Sequence, residues 1–160
     1  MDKKIEEQLT GFIHGHVCLL GIGNRHWHDG GVGSYIAEAL KACPGLDVID
    51  AGLYPENHLE TVASKHPDSI LMLDATDFGG DPGQVALIYP DKVAYSGVAT
   101  NAGSLRMLAE YMSVRTHAQV ALLAIQPVDT SEGESLSPEV AHTFDDLLKS
   151  LPAICSHPMH

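Results

Sequence analysis

Five short apolar segments recur along the chain, and helical patterns separate every consecutive pair of them except one. Each segment is short and bounded by glycine, proline or polar residues, which is typical of buried strands. Residues 76–83 (TDFGGDPG) join the third segment to the fourth without a helix. A parallel crossover requires about a dozen residues or more, so this link predicts that the fourth strand runs antiparallel to its neighbours. The predicted strands are residues 17–22, 46–50, 69–75, 84–89 and 119–125.

Strands that alternate with helices predict an α/β fold in which helices cover both faces of a sheet. The predicted helices cover residues 32–43, 57–66 and 105–112, and a last helix starts with Ser137 as its N-cap and Pro138 at its first position. The 160 residues are enough to bury one core. We therefore expect a single domain over residues 1–160, with residues 1–15 and 152–160 as peripheral tails.

The charge of the chain excludes several classes of partner. The formal net charge is −12, whereas nucleic acids and anionic membranes attract basic surfaces. No apolar run approaches the roughly 20 residues of a membrane span, and the first residues lack the apolar core of a signal peptide. Three scattered cysteines do not make a disulfide framework. We expect a cytoplasmic monomer that binds neither nucleic acid nor membrane.

A glycine-rich loop, GIGNRHWHDGGVGS (residues 21–34), follows the first strand and precedes a helix. This arrangement cradles phosphates in dinucleotide-binding proteins when it has the pattern G-x-G-x-x-G. Gly21 and Gly23 fit the pattern, but His26 stands at the third glycine position. No other phosphate-binding motif occurs, so the loop favours a tight turn or a metal site over a nucleotide site.

The carboxyl ends of the strands are where open α/β sheets bind ligands, at the point where the strand order reverses. The first strand ends in the glycine-rich loop, and the third strand ends at Asp74. If these two strands are neighbours, Asp74 faces residues 23–31 across a crevice. Asp74 is therefore a candidate site residue.

Six short motifs occur in order along the chain: GIGN (21–24), DGGVG (29–33), PEN (55–57), LDATDFG (73–79), DPGQV (81–85) and AIQP (124–127). Together they resemble the hydrogenase maturation endopeptidases, in the branch that serves the large subunit of formate-hydrogenlyase-type nickel-iron hydrogenases. The resemblance runs from about residue 17 to about residue 150. It implies a three-layer α/β/α sandwich with a five-stranded mixed sheet of order 2-1-3-5-4, in which strand 4 is antiparallel.

Family members remove a C-terminal extension from the hydrogenase large-subunit precursor after nickel insertion, so the resemblance implies this precursor as partner and a substrate-borne nickel. It also implies three nickel-contacting positions, of which Asp74 is one, and makes Asp74 the candidate catalytic residue and metal ligand. The other two hold Gly30, where the family has an acid, and Asn101, where the family has a histidine. Asn24 and Gly33 fix the alignment at Gly30, and the neighbouring Asp29 is retained. Asn24, Gly30 and Asn101 are thus loop positions beside the expected substrate.

Three functional hypotheses follow. The chain is a metal-guided maturation endopeptidase, a catalytically silent homologue that binds metal or precursor, or a divergent metallohydrolase. Imidazole suits nickel and zinc, so His26 and His28, with Asp29 and Asp74, form a candidate rewired site for nickel, zinc or another divalent metal. The alternative for His26 and His28 is a solvated loop, since loops lie on the surface.

Overall fold

The computed structural model describes residues 1–93 and 102–156, which form one five-stranded sheet with helices on both faces. The strands are β1 (Val17–Ile22), β2 (Asp47–Gly52), β3 (Ser69–Ala75), β4 (Val85–Ile88) and β5 (Gln119–Ile125). The helices are α1 (Lys3–Phe12), α2 (Val32–Leu40), α3 (Leu59–Ser64), α4 (Pro90–Val93), α5 (Ala102–Thr116) and α6 (Pro138–Ser156), and two 3₁₀ turns cover His28–Gly31 and Pro55–His58.

The strand order is β2-β1-β3-β5-β4, which confirms the predicted sheet. Strand β1 pairs in parallel with both β2 and β3, and β3 pairs in parallel with β5. Only β4 is antiparallel, with Val85 opposite Ile125. The short link after β3 permits this direction because a return beside β5 needs no crossover helix.

Two apolar clusters on the two faces of the sheet give the three layers. One cluster joins α1, α2 and α6 to one face, through side chains such as Leu9, Ile36 and Leu147. The other joins α3 and α5 to the opposite face, through side chains such as Val62 and Met112. Strands β1, β3 and β5 are almost wholly buried because both of their faces are covered. Within the residues described, no helix combines the length and the apolar character that crossing a membrane demands.

The described parts of the two terminal segments contribute side chains to the core, where the sequence predicted peripheral tails. Ile5, Leu9 and Phe12 of α1 are buried against β4 and α6. Helix α6 continues to Ser156, and Cys155 is buried in the same cluster. Their apolar residues recur at helical spacing, so each helix buries one face on the sheet layer. Residues 157–160 lie outside the described part of the chain.

The glycine-rich loop is held close to the sheet by Gly33, in the first turn of α2. A Cβ added to Gly33 would lie 2.1 Å from the Leu73 carbonyl oxygen and 2.3 Å from that of Ile22. Only a residue without a side chain allows this approach. The start of α2 therefore packs directly on the carboxyl ends of β1 and β3, where the sequence predicted the functional crevice.

Candidate active site

Asp74 lies near the carboxyl end of β3, as predicted. It is in register with Ala124 of β5. Its exposed fraction is 9%. Burial raises the pKa of Asp74 well above its ordinary value of 3.8, and a hydrogen bond from the Ala75 N–H offsets only part of that effect. A buried carboxyl of this kind, placed at the end of a strand, is typical of functional sites.

Asp74 lines a cleft of about 560 Å³ between α5 and the segment that follows β2. The walls are largely apolar, and Glu56 is the second carboxylate among the described residues that line the cleft. Glu56 belongs to the PEN motif, but no signal in the sequence assigned it to the site. The other lining residues are Ile22, residues 53–55, Leu59, Leu105, Met107, Leu108 and Tyr111.

Gly30, at the first position implied by the resemblance, lies in the 3₁₀ turn His28–Gly31, and this turn contacts β3. A Cβ on Gly30 would meet the Trp27 Cβ at 3.3 Å and the Asn24 carbonyl oxygen at 3.8 Å. The turn therefore has room for a side chain after a small adjustment. As the chain stands, Gly30 contributes no side-chain ligand.

Asn24 holds the glycine-rich loop in its turn conformation. Its N–H donates to the Gly30 carbonyl oxygen at 2.9 Å, and its own carbonyl oxygen accepts from the Trp27 N–H at 3.1 Å. Its side-chain oxygen accepts a hydrogen bond of 2.9 Å from the His26 N–H. These contacts bring the two ends of the loop together, so Asn24 acts on the position of Gly30.

Asp29 is buried with an exposed fraction of 0%, and its carboxylate accepts four hydrogen bonds. The donors are the Val128 and Asp129 N–H groups at 2.9 Å and the N–H and hydroxyl of Ser137 at 2.7 Å. Burial raises the pKa of Asp29, but these hydrogen bonds outweigh that effect and hold it below 3.8. Its carboxylate thus binds residues 128–137. The hydroxyl of Ser137, a residue predicted as an N-cap, donates a hydrogen bond to Asp29.

The imidazoles of His26 and His28 contact residues 133–135. The His26 Nδ1 lies 3.5 Å from a Glu134 carboxylate oxygen on the surface. The His28 Nδ1 lies 2.8 Å from the Ser135 carbonyl oxygen, and the His28 ring packs against the Gly133 backbone. Neither histidine lines the Asp74 cleft. The structure does not bring the predicted rewired ligand set together in that cleft.

The described residues contain no group of three or more His, Cys, Asp or Glu side chains placed to hold a metal ion. Asn101, the remaining position implied by the resemblance, lies outside the described residues. Of the three positions that the resemblance implies for nickel contact, Asp74 is therefore the one that has both a described side chain and an acidic ligand type. Metal binding through His26, His28 and Asp29 stays a prediction.

Arg25 anchors the glycine-rich loop to α2 and β2, a role that the sequence did not reveal. Its guanidinium pairs with Glu38 and with Asp50, the latter at 2.8 Å, and its Nε donates to the Ser34 hydroxyl at 2.8 Å. The same group lies 4.9 Å from the centre of the Tyr35 ring. Arg25 therefore fixes the loop to α2 and β2, while Asn24 fixes the conformation of the loop itself.

Comparisons with known proteins show which sequences and folds this chain resembles. The family model described as hydrogenase maturation protease (HycI) matches residues 32–154. The hydrogenase 3 maturation protease of Escherichia coli K12 is 40% identical over 78 residues, which cover 48% of this chain and 50% of that protein. The hydrogenase expression/formation protein HupD of Rhodobacter capsulatus is 31% identical over 152 residues, or 86% of this chain and 70% of that protein.

Solved structures extend the similarity over nearly the whole chain. The crystal structure of a NiFe hydrogenase maturation protease, HycI from Thermococcus kodakarensis, has a TM-score of 0.84 at 27% identity. This match covers 94% of this chain and 99% of that one. The alignment with the E. coli sequence spans half the length of that relative, whereas the structural match and the family model extend well beyond it. The chain belongs to the hydrogenase maturation protease family.

Proposed function

We propose that this protein removes the C-terminal extension from a nickel-loaded hydrogenase large-subunit precursor. The observation that carries the proposal is Asp74, a buried carboxyl in an apolar cleft at the end of β3. The relatives named above are hydrogenase maturation proteases, which supports the same reaction class and the same kind of substrate. The cytoplasmic location and the monomeric state stay predictions from the sequence.

In this proposal Asp74 contacts the nickel that the precursor carries. Burial disfavours the charged form of the carboxyl, and a divalent cation beside it stabilises that form. The apolar walls exclude water and strengthen the attraction between carboxylate and cation. Nickel then serves as the recognition element and as a Lewis acid that polarises the scissile carbonyl.

A second candidate is a homologue that binds the precursor without cleaving it. Gly30 favours this candidate because the turn beside β3 presents no side chain where the family resemblance implies an acid. A single carboxylate fixes the geometry of a metal poorly, since affinity depends on the number and type of ligands. Under this second candidate, the unaltered protein cleaves a conventional precursor weakly or not at all.

The decisive experiment follows precursor processing on a gel, with and without nickel, alongside a binding measurement on the same samples. Asp74→Ala is compared with Asp145→Ala, which alters an exposed aspartate on α6. Shortening that requires nickel, persists in Asp145→Ala and disappears in Asp74→Ala supports the peptidase. Nickel-dependent binding without shortening supports the second candidate, and the absence of both contradicts the proposal.

A further inference from the structure

Helix α5 carries an apolar stripe on its outer side. Met107, Tyr111 and Val114 are spaced by four and three residues, so they lie on one face of the helix. Their exposed fractions are 71%, 46% and 77%. The inner face of α5 buries other apolar side chains, including Leu108 and Met112, against the sheet. The three side chains of the stripe are therefore not part of the contact between α5 and the sheet.

Two further exposed apolar residues, Leu53 and Tyr54, follow β2, with exposed fractions of 55% and 60%. They line the Asp74 cleft together with Met107 and Tyr111. Val114 extends the stripe one turn beyond the cleft. We call Leu53, Tyr54, Met107, Tyr111 and Val114 the apolar rim. Contiguous exposed apolar side chains of this kind mark interaction sites.

The α5 side of the rim is held in place by contacts with α3. Glu60 of α3 accepts hydrogen bonds from the Tyr111 hydroxyl at 3.4 Å and from the Arg115 guanidinium at 3.1 Å. These contacts join the two helices that cover this face of the sheet. A surface that is ordered before binding loses less conformational entropy when a partner docks.

We propose that the apolar rim binds the polypeptide segment of the hydrogenase large-subunit precursor that adjoins its nickel. The inference rests on the proposed function and adds the surface that holds the substrate. The carboxyl groups of Asp74 and Glu56 lie in the cleft, while the rim around them is apolar. A partner that fits brings a cation to these carboxyl groups and apolar side chains to the rim, and a metal-loaded precursor supplies the cation.

The charge of the chain argues against two other occupants of the rim. A second copy would bring another net charge of −12 to a cleft that already contains two carboxylates. An anionic membrane would be repelled for the same reason. The metal-bearing precursor instead brings a cation to these carboxyl groups, so we assign the rim to it.

The test measures the affinity of the full chain for purified precursor that carries its C-terminal extension, with and without nickel. Met107 and Val114 are replaced together by Ser. We expect the Kd for the nickel-loaded precursor to rise by about tenfold or more, because apolar contacts that are lost at an interface core weaken binding strongly. Because both side chains are mostly exposed, we expect the variant to keep its fold. Thermal unfolding of the variant checks this.

Val128→Ser is the matched control, because Val128 is half exposed and lies outside the rim. We expect it to leave the Kd unchanged. If Asp74→Ala weakens binding but the Met107 and Val114 pair does not, the rim proposal is overturned while the proposed function stands. If the unaltered protein binds neither form of the precursor, the rim proposal and the proposed function are both contradicted. Sedimentation that shows a dimer dissolved by the Met107 and Val114 changes, with precursor binding intact, assigns the rim to self-association and also overturns the proposal.

Discussion

Asp29 accepts two hydrogen bonds of 2.7 Å from Ser137, one from the backbone N–H and one from the hydroxyl. The two residues are 108 positions apart in the sequence. Their contact joins the turn before α2 to the residue before α6. The position of the glycine-rich loop beside Asp74 therefore depends on a carboxylate that is itself enclosed by backbone donors.

We expect Asp29→Asn to lower the free energy of unfolding by about 2–4 kcal/mol, since an amide cannot accept from all four donors and leaves buried N–H groups unpaired. The pKa of Asp29 lies below 3.8 in the folded protein. The unfolded chain thus binds more protons in acid, and the stabilisation is present above pH 3.8 and is lost as the pH falls through the lower folded value.

Chemical denaturation between pH 7 and pH 2.5 measures this effect. We expect the difference in stability between the unaltered protein and Asp29→Asn to shrink as the pH falls through that window. Asp145→Asn, on an exposed position of α6, serves as the control and should change neither the stability nor its pH dependence. A constant difference across the whole pH range would contradict the assigned role of the Asp29 charge.

Gly33→Ala tests the close packing of α2 on β1 and β3. The new methyl group would lie 2.1 Å from the Leu73 carbonyl oxygen, so the helix must move away from the sheet. We expect a loss of about 3 kcal/mol in the free energy of unfolding. Gly11→Ala in α1 meets none of the described atoms within 4 Å of the new methyl group and should stabilise by about 0.5 kcal/mol. Equal effects of the two changes on thermal unfolding would refute the packing argument.

The double variant Gly30→Asp and Asn101→His restores the ligand types that the family resemblance implies. Gly30 has room for a Cβ, with its nearest neighbour at 3.3 Å. We expect the variant to bind Ni²⁺ or Zn²⁺ at least about tenfold more tightly than the unaltered protein, because affinity follows ligand number and type. Calorimetry measures the change. Adding Asp74→Ala should abolish the gain, and a gain that survives this third change places the metal elsewhere.

His26 and His28 provide a separate test of the rewired site. If they are ligands together with Asp74, His26→Ala or His28→Ala weakens metal binding by about tenfold or more. Their contacts with residues 133–135 lead us to expect unchanged metal affinity in both variants. His28→Ala should instead destabilise the protein, because the ring packs against Gly133. A tenfold loss of affinity would show that these imidazoles reach the metal.

The strand pattern and the link over residues 76–83 were sufficient to predict the antiparallel β4 and the position of Asp74 at the end of β3. Both features depend on local information, namely apolar periodicity and the length of a connection. The strand order came from the resemblance to a family, and the sheet confirms it. The buried face of α1 was present in its periodicity, but the sequence alone did not show which surface would cover it.

The sequence by itself determined the α/β sheet, the direction of β4 and the place of Asp74 at the end of β3. Only the tertiary structure decided that Asp29 is enclosed by residues 128–137, that His26 and His28 face residues 133–135, and that Glu56 shares the cleft with Asp74. Hydrogen bonds and cleft walls of this kind join residues far apart in the chain. Periodicity reports which face a residue occupies, whereas the partner of a polar side chain depends on how the loops dock.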